Sequence, residues 1–254
     1  MTVQQNKEKL PNRLKNELKF RELIVKEKQR VAGCFDRIVF TSEQLSGFNS
    51  QGFDDHIKLF FPAESGEVQL PQITDEGIVW GDGPRPQARD YTPLAFNADS
   101  NELTIDFYIH DAGVASAWAE GAMPGDTLMI GGPRGSLVYP TDYAFQLYVC
   151  DETGLPAVRR RLLTLPENVT VQVLVNSHHS EVHQYLSDFT HVALEYLDET
   201  ALAERLKALS IPAEDYFVWI TGEGEAVKRM SDELKTSRNL DSDYVRAVAY
   251  WHRK

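Results

Sequence analysis

Arg89, Tyr91 and Thr92 bring together, within four positions, side chains that suit a dinucleotide. Arginine can hold a phosphate, an aromatic ring can stack on a flat heterocycle, and a hydroxyl can hydrogen-bond the edge of that heterocycle. The residues begin a predicted β-strand, in which Arg89 and Tyr91 project to one face and Asp90 and Thr92 to the other. The pattern predicts a flavin dinucleotide site. The alternative is an edge strand with one surface ion pair.

Two further motifs each follow a predicted strand. The segment 110–119 is typical of a turn that opens into a short helix, and the loop 131–136 is rich in glycine. Gly113, Ala115 and Ser116 of the first segment are small. A phosphate could therefore approach the backbone N–H groups at the start of this helix.

Taken in order, Arg-x-Tyr-Thr, His-x-x-Gly-x-Ala-Ser and Gly-Pro-Arg-Gly resemble the flavin-site motifs of the siderophore-interacting protein family of flavin reductases, and the resemblance extends over nearly the whole chain. It implies an NADPH-dependent, FAD-containing reductase of ferric siderophores or other ferric chelates. Iron would be a chelated substrate, and no side chain would act as an acid or base. The residues assigned to FAD in this way are Arg89, Tyr91, Thr92, Asp106, His110, Gly113, Ala115, Ser116 and Arg134.

Composition limits the remaining function classes. The chain has 254 residues and a net charge of −12, which argues against nucleic acid or an anionic membrane as the main partner. No apolar run approaches the ~20 residues that span a bilayer, and residues 1–19 lack the apolar core of a secretory signal. Cys34 and Cys150 stand far apart, so we expect reduced thiols and a cytoplasmic protein without an iron–sulfur or zinc site. The expected oligomeric state is a monomer or weak dimer.

The first half of the chain alternates apolar and polar residues in short segments separated by Gly and Pro. This pattern predicts a closed, six-stranded antiparallel barrel, and the FAD-binding domain is expected at 17–142. A hairpin is possible at 78–80, within the long loop 62–86. The predicted strands are 20–31, 35–40, 57–61, 88–96, 102–109 and 126–131.

The second half alternates buried strands with helices, which predicts a five-stranded parallel sheet over 143–254. The strands are expected at 145–150, 169–175, 191–196, 216–221 and 244–251. The helices are expected at 157–165, 181–187, 198–209 and 224–236. A barrel followed by such a sheet is the ferredoxin-reductase-like arrangement, which the family resemblance also implies.

In an open parallel sheet, ligands bind at the carboxyl ends of the strands. Two such ends, 151–157 and 219–223, match the turns that line the nicotinamide cofactor in the family, so the resemblance implies an NADPH site here. The alternative is that both are plain helix caps. The residues assigned to NADPH are Asp151, Thr153, Trp219, Gly222, Glu223, Tyr250 and Trp251.

The end of the second of these strands bears on the choice between NADPH and NADH. An acidic residue there would bind the ribose 2′-hydroxyl of NADH and repel a 2′-phosphate. The chain has Asn176, Ser177, His178 and His179 instead, which can donate hydrogen bonds to a phosphate. This favours NADPH, although a polar loop with two exposed histidines is an alternative.

Three basic residues are candidates for binding an anionic ferric chelate, with a catecholate as the expected siderophore. They are Lys58, Arg134 and Arg246. Alternatively, Lys58 extends along an apolar surface, Arg134 binds the flavin pyrophosphate, and Arg246 pairs with a nearby aspartate.

Two other functions stay open at the level of the sequence. One is a ferredoxin- or flavodoxin-type NADP reductase. The protein partner of such a reductase is acidic, and a chain with a net charge of −12 offers it a poor docking surface. The other is a flavin-containing siderophore-binding protein without turnover.

Overall fold

The computed structural model describes residues 9–62, 70–75, 77–110 and 113–253. The chain divides into two compact units. The first comprises Arg13–Leu137, and the second comprises Val138 onwards together with the N-terminal residues up to Asn12.

The first unit is built mainly of antiparallel strands. In chain order the strands are β1 (Asn12–Lys15), β2 (Phe20–Val31), β3 (Phe35–Thr41), β4 (Ile57–Phe61), β5 (Gln72–Thr74), β6 (Gly77–Val79), β7 (Gln87–Tyr91), β8 (Ala95–Asn97), β9 (Glu102–Tyr108), β10 (Thr127–Gly131) and β11 (Gly135–Val138). The main sheet has the order β7-β4-β10-β2-β3-β9-β8, and each neighbouring pair is antiparallel. Two-stranded sheets pair β1 with β11 and β5 with β6, so the predicted hairpin is present.

The main sheet differs from the prediction in two respects. Its described strands number seven rather than six, and hydrogen bonds between them do not close the barrel. The predicted strand 88–96 is interrupted near Pro93, which has no N–H to donate to a ladder. Its two halves become β7 and β8, which lie at opposite edges of the sheet.

Side chains nevertheless bring the two edges together. Only residues 92–94 connect β7 to β8, so the sheet has to curl. The rings of Tyr91 on β7 and Phe107 on β9 have their centroids 4.7 Å apart, although these strands are not neighbours in the sheet. The curled sheet encloses an apolar core that includes Leu23, Ile38, Phe40, Ile57, Leu59, Leu103, Ile105, Phe107 and Ile130.

The second unit contains a sheet in which all strands are parallel, as predicted. Its strands are β12 (Phe145–Asp151), β13 (Thr170–Asn176), β14 (Ala193–Leu197), β15 (Tyr216–Glu223) and β16 (Val245–Trp251). The order is β14-β13-β12-β15-β16. Every residue of β15 is buried, which explains why its sequence is an apolar run rather than an alternating one.

Helices lie between the strands. The α-helices are α1 (Val114–Gly121) in the first unit and α2 (Leu155–Leu162), α3 (Glu199–Ala208) and α4 (Gly224–Asp232) in the second. Tighter 3-10 turns cover Glu43–Leu45, Glu152–Gly154, Ser180–Gln184 and Ser242–Tyr244, and a π turn covers Glu233–Ser237. The predicted helix 181–187 is therefore a 3-10 turn, because the segment is too short to propagate an α-helix. In the described part of the chain, no helix has the length and apolar character that crossing a membrane requires.

Candidate functional site

The pairing of β7 with β4 decides where Arg89 and Tyr91 point. Arg89 lies opposite Leu59 and Tyr91 opposite Ile57, and both of these β4 residues are fully buried. Directly paired residues of antiparallel strands share a face. Arg89 and Tyr91 therefore lie together on the core-facing side of an edge strand, as the alternation predicted. The Arg89 side chain is exposed and donates one hydrogen bond, of 2.8 Å, to the Ala88 carbonyl.

Tyr91 and Thr92 are shielded from water. The half-buried ring of Tyr91 packs on Phe107, and Thr92 is buried. Burial raises the pKa of the Tyr91 phenol, and the charge of Arg89 opposes this shift. The phenol is therefore neutral at physiological pH and keeps its proton as a hydrogen-bond donor.

The turn before α1 is held by a side chain that sequence analysis assigned to FAD. The buried Ser116 hydroxyl accepts a hydrogen bond from the His110 N–H (3.3 Å) and donates one to the Tyr108 carbonyl (3.2 Å). Because this hydroxyl is engaged with the backbone, it shapes the turn. His110 is exposed, and the intervening Asp111 and Ala112 lie outside the described residues.

The start of α1 nevertheless fits a phosphate. Its N-cap is Gly113, at φ 152°, and no side chain caps the first turn. A Cβ at Gly113 would lie 3.0 Å from Cε1 of His110, so glycine permits the imidazole to pack there. Ala115 is small and buried, and the N–H groups of this turn are available to an anion. Trp118 of α1 packs on Phe107, 5.9 Å between centroids, and Phe107 also contacts Tyr91.

Asp106, which sequence analysis assigned to FAD, is paired with Arg37 in the structure. Its carboxylate accepts two hydrogen bonds of 2.7 Å from Nε and Nη2 of Arg37 on the neighbouring strand, and its side chain is fully buried. Sequence analysis did not single out Arg37. A carboxylate engaged in this bidentate pair stabilises the β3–β9 pairing, and its assignment to FAD stays a prediction.

The glycine-rich loop that contains Arg134 is fixed by a buried arginine, Arg21. Its Nη1 donates to the Gly132 carbonyl (3.2 Å) and its Nε to the Gln44 carbonyl (2.9 Å). Burial lowers the pKa of Arg21, and the charge of Glu17 opposes this shift. Sequence analysis missed Arg21, although its alternation with Leu23 and Val25 placed it on the buried face of β2. Arg134 itself is exposed.

The other two candidate substrate-binding residues have partners within their own units. Lys58 Nζ lies 2.6 Å from Asp90 Oδ1, on the face of the sheet opposite to Arg89 and Tyr91. The Arg246 guanidinium lies 6.0 Å from the centroid of the Tyr139 ring. Lys58 and Arg134 belong to the first unit and Arg246 to the second, so their convergence stays a prediction.

The second unit contains a cavity of about 440 Å³ at the carboxyl ends of β12, β13 and β15, bounded by α3 and α4. Such a volume is typical of a site for a small molecule or part of a cofactor. Eight of the residues that sequence analysis connected with NADPH, either as site residues or as determinants of cofactor choice, line it: Asp151, Asn176, Ser177, His178, His179, Gly222, Glu223 and Trp251.

Asp151 organises one wall of the cavity. Its Oδ1 accepts hydrogen bonds from the Thr153 N–H (2.9 Å) and hydroxyl, and its Oδ2 accepts one from Trp251 Nε1 (2.7 Å). Burial raises the pKa of Asp151, and the hydrogen bonds from Thr153 and Trp251 oppose this shift. Gly222, at φ 136°, leaves room for the carboxylate, because a Cβ there would lie 2.8 Å from Oδ2.

The alternative that these strand ends are helix caps is also correct, and it does not exclude a binding site. Asp151 caps the turn Glu152–Gly154. Glu223 caps α4 by accepting the Ala226 N–H at 3.0 Å, which lowers the pKa of Glu223. Both carboxylates also line the cavity, so capping preorganises the wall.

Trp219 does not line the cavity. Its side chain is fully buried, and its ring makes an edge contact with Tyr250 at 6.1 Å. Its ring approaches Gly154, where a Cβ would lie 3.4 Å from Cη2. Trp219 therefore packs beside the Asp151 turn, and its assignment as a cofactor-binding residue stays a prediction.

The loop after β13 presents mainly imidazole and amide groups to the cavity. The buried Ser177 hydroxyl accepts a hydrogen bond from the His179 N–H (3.1 Å), and both histidines are exposed. Three basic residues that sequence analysis did not single out also line the cavity, namely Lys207, Arg229 and Arg253. They come from α3, α4 and the C-terminal segment, so no short motif could have indicated them.

A curled antiparallel sheet followed by a parallel sheet with a cavity at its strand ends defines the ferredoxin-reductase-like class of flavoproteins. The chain belongs to the siderophore-interacting protein family. Residues 24–137 match the siderophore-interacting FAD-binding domain, and residues 143–254 match the siderophore-interacting protein domain.

Individual relatives agree with this family. The chain is 51% identical to the NADPH-dependent ferric-chelate reductase of Escherichia coli (strain K12) over 254 residues, which is 98% of this chain and 99% of the relative. It is 30% identical to the ferric vibriobactin reductase ViuB of Vibrio cholerae over 229 residues, 85% and 83% of the two chains. A solved siderophore utilization protein from T. fusca is 31% identical, with a TM-score of 0.87 and 96% coverage of each chain.

Proposed function

We propose that the protein is an NADPH-dependent, FAD-containing reductase of ferric siderophores and other ferric chelates, which releases Fe(II). The observation that carries this proposal is the 51% identity to a ferric-chelate reductase over nearly the full length of both chains. The geometry supports it, because a flavin-type site and a nucleotide-sized cavity occur together in one chain.

FAD is assigned to residues 17–142, where Arg89 and the first turn of α1 would hold its pyrophosphate and Tyr91 would stack on its ring. Thr92 would hydrogen-bond the ring edge. Bound FAD would take two electrons from NADPH as a hydride and return them singly to Fe(III), which no side chain can do. The protein's own residues bind the cofactors, orient them and shield them from water, and none of these residues needs to move a proton.

NADPH is assigned to residues 143–254. Asp151, Gly222 and Trp251 would shape the site for the nicotinamide half, with Thr153 fixing the carboxylate. The loop 176–179 brings no acid that would repel a 2′-phosphate.

The substrate is proposed to be an anionic catecholate chelate, and the protein a cytoplasmic monomer or weak dimer. Both cysteines are buried thiols outside any disulfide, which suits a reducing compartment. Basic residues support the anionic substrate, since each charge within ~4 Å contributes on the order of 1 kcal/mol in water and up to ~4 in a partly dry pocket.

Lys58→Ala, Arg134→Ala and Arg246→Ala are each expected to raise KM for a ferric tris-catecholate by about tenfold, with FAD content and flavin reduction by NADPH unchanged. The losses should shrink at high salt. Because Lys58 is paired with Asp90, Asp90→Asn is expected to lower KM if Lys58 binds substrate. Loss of flavin from Arg134→Ala would show that this residue binds the cofactor. An unchanged KM in all three variants would contradict the hypothesis of a basic substrate-binding pocket.

The proposed function is tested by colour and by iron reduction. The purified protein is expected to be yellow and to be bleached by NADPH without oxygen, which would exclude a binding protein without turnover. Adding a ferric catecholate and a ferrous trap should then restore the colour and produce trapped Fe(II). Rapid electron transfer to ferredoxin or flavodoxin with none to the chelate would instead support the alternative reductase.

The kcat/KM with NADPH is expected to be at least about tenfold higher than with NADH. A contact to the 2′-phosphate worth ~1.4 kcal/mol is enough for this ratio. Initial rates of anaerobic flavin bleaching with each nucleotide measure this ratio. A preference that is lost in His178→Ala or His179→Ala would implicate that histidine. Equal efficiency with both nucleotides would contradict the prediction.

A further inference from the structure

Two arginines from separate segments converge on one carboxylate at the cavity of the second unit. Arg229 Nη2 of α4 lies 2.7 Å from Glu199 Oε1, and Arg253 Nη2 lies 3.6 Å from Glu199 Oε2. All three residues line the cavity. Their side chains are more than half exposed, and ion pairs with this exposure contribute little to folding stability.

Two carboxylates of the same cavity, Asp151 and Glu223, already have other donors. Asp151 accepts from Thr153 and Trp251, and Glu223 accepts the N–H groups of Ala226 and Arg253. Among the contacts that the structure describes, Glu199 is thus the carboxylate that forms ion pairs with both guanidinium groups. A single negative charge between two guanidinium groups can be replaced by a phosphate monoester, which carries more charge and more acceptor oxygens.

The cleft beside these arginines suits a nucleoside. Its wall between α3 and α4 is formed largely by apolar side chains, namely Leu202, Ala203, Leu206, Ala226 and Met230. Lys207 adds a further positive charge to the same wall. A flat purine on an apolar wall, with a phosphate at a basic rim, matches the usual composition of a nucleotide pocket.

We propose that Arg229 and Arg253 bind the 2′-phosphate of NADPH, and that Glu199 is the counterion which this phosphate displaces. The inference rests on the proposed function and deepens it, since it names specificity-determining residues outside the 176–179 loop. Glu199 then weakens nucleotide binding by competing for the two guanidinium groups, and its removal favours the phosphate.

The test is calorimetric titration of the FAD-loaded protein with 2′,5′-ADP and with 5′-AMP, which differ in the 2′-phosphate. Arg229→Ala and Arg253→Ala are each expected to raise Kd for 2′,5′-ADP roughly tenfold and to change Kd for 5′-AMP less than about twofold. Glu199→Gln is expected to tighten 2′,5′-ADP binding severalfold. Arg205→Ala is the matched control, because Arg205 pairs with Glu195 and does not line the cavity.

The outcomes separate this inference from the proposed function. Unchanged 2′,5′-ADP binding in both arginine variants, with a loss in His178→Ala or His179→Ala, would overturn the inference and leave the proposed function standing. NADH-driven flavin bleaching retained in Arg229→Ala, together with weaker 2′,5′-ADP binding, would support it. A wild-type protein that binds neither nucleotide and is not bleached by NADPH would overturn the proposed function itself.

Discussion

Replacing Tyr91 with alanine is expected to yield protein that purifies largely without FAD. The ring lies on the core-facing side of an edge strand, beside Arg89 and against Phe107. Its loss removes stacking of about 1 kcal/mol and roughly 2 kcal/mol of apolar burial. Together these lower FAD affinity by about two orders of magnitude. Flavin absorbance per protein after purification, followed by titration with FAD, measures the effect.

Tyr91→Phe is the matched control for this experiment. It keeps the ring and its packing on Phe107, so it should retain flavin while losing only the hydroxyl. If Tyr91→Ala purified with a full complement of FAD, Tyr91 would be a residue of the barrel core alone. Thermal unfolding of both variants shows whether a loss of flavin follows from a loss of folding.

Arg37→Ala is expected to destabilise the first unit by about 3–5 kcal/mol, because it leaves the Asp106 carboxylate buried without its bidentate partner. Lys26→Ala is the control, since the Lys26–Glu102 pair joins strands of the same sheet but its lysine is half exposed. We expect that change to cost no more than ~1 kcal/mol. Urea unfolding midpoints of both variants measure the difference.

A double variant identifies the cause of this loss. Arg37→Met combined with Asp106→Leu removes both charges, and well-packed apolar side chains can replace a buried ion pair with little loss. The double variant should therefore be more stable than Arg37→Ala. If Arg37→Ala lost no more stability than Lys26→Ala, water would be solvating the Asp106 carboxylate in that variant. The Arg37–Asp106 pair would then not be needed for the stability of the first unit.

The sequence by itself determined the fold class and most of the elements. Apolar runs such as β12 and β15 indicated strands buried on both faces, and the alternation in β2 and β3 indicated strands with one buried face. These patterns are local, since the side-chain period of a strand follows from backbone geometry alone. The flavin motifs were readable for the same reason, because each lies within a few consecutive residues.

The tertiary structure decided which side chains have protein partners. Asp106 and Ser116 carried motif assignments, yet one binds Arg37 and the other binds the backbone of its own turn. Pro93 divided a predicted strand, and the two halves joined opposite edges of the sheet. Local pattern could not indicate these results, because strand order and partner choice depend on residues far apart in the chain.

The basic rim of the cavity shows the same limit at a binding site. Glu199, Arg229 and Arg253 come from the start of α3, from α4 and from the C-terminal segment, with no fixed spacing among them. Only the parallel order of the strands brings these segments to one edge of the sheet. Only the folded chain brings these charged side chains together, because a hydrogen bond depends on the distance between two atoms in space and not on their separation in the sequence.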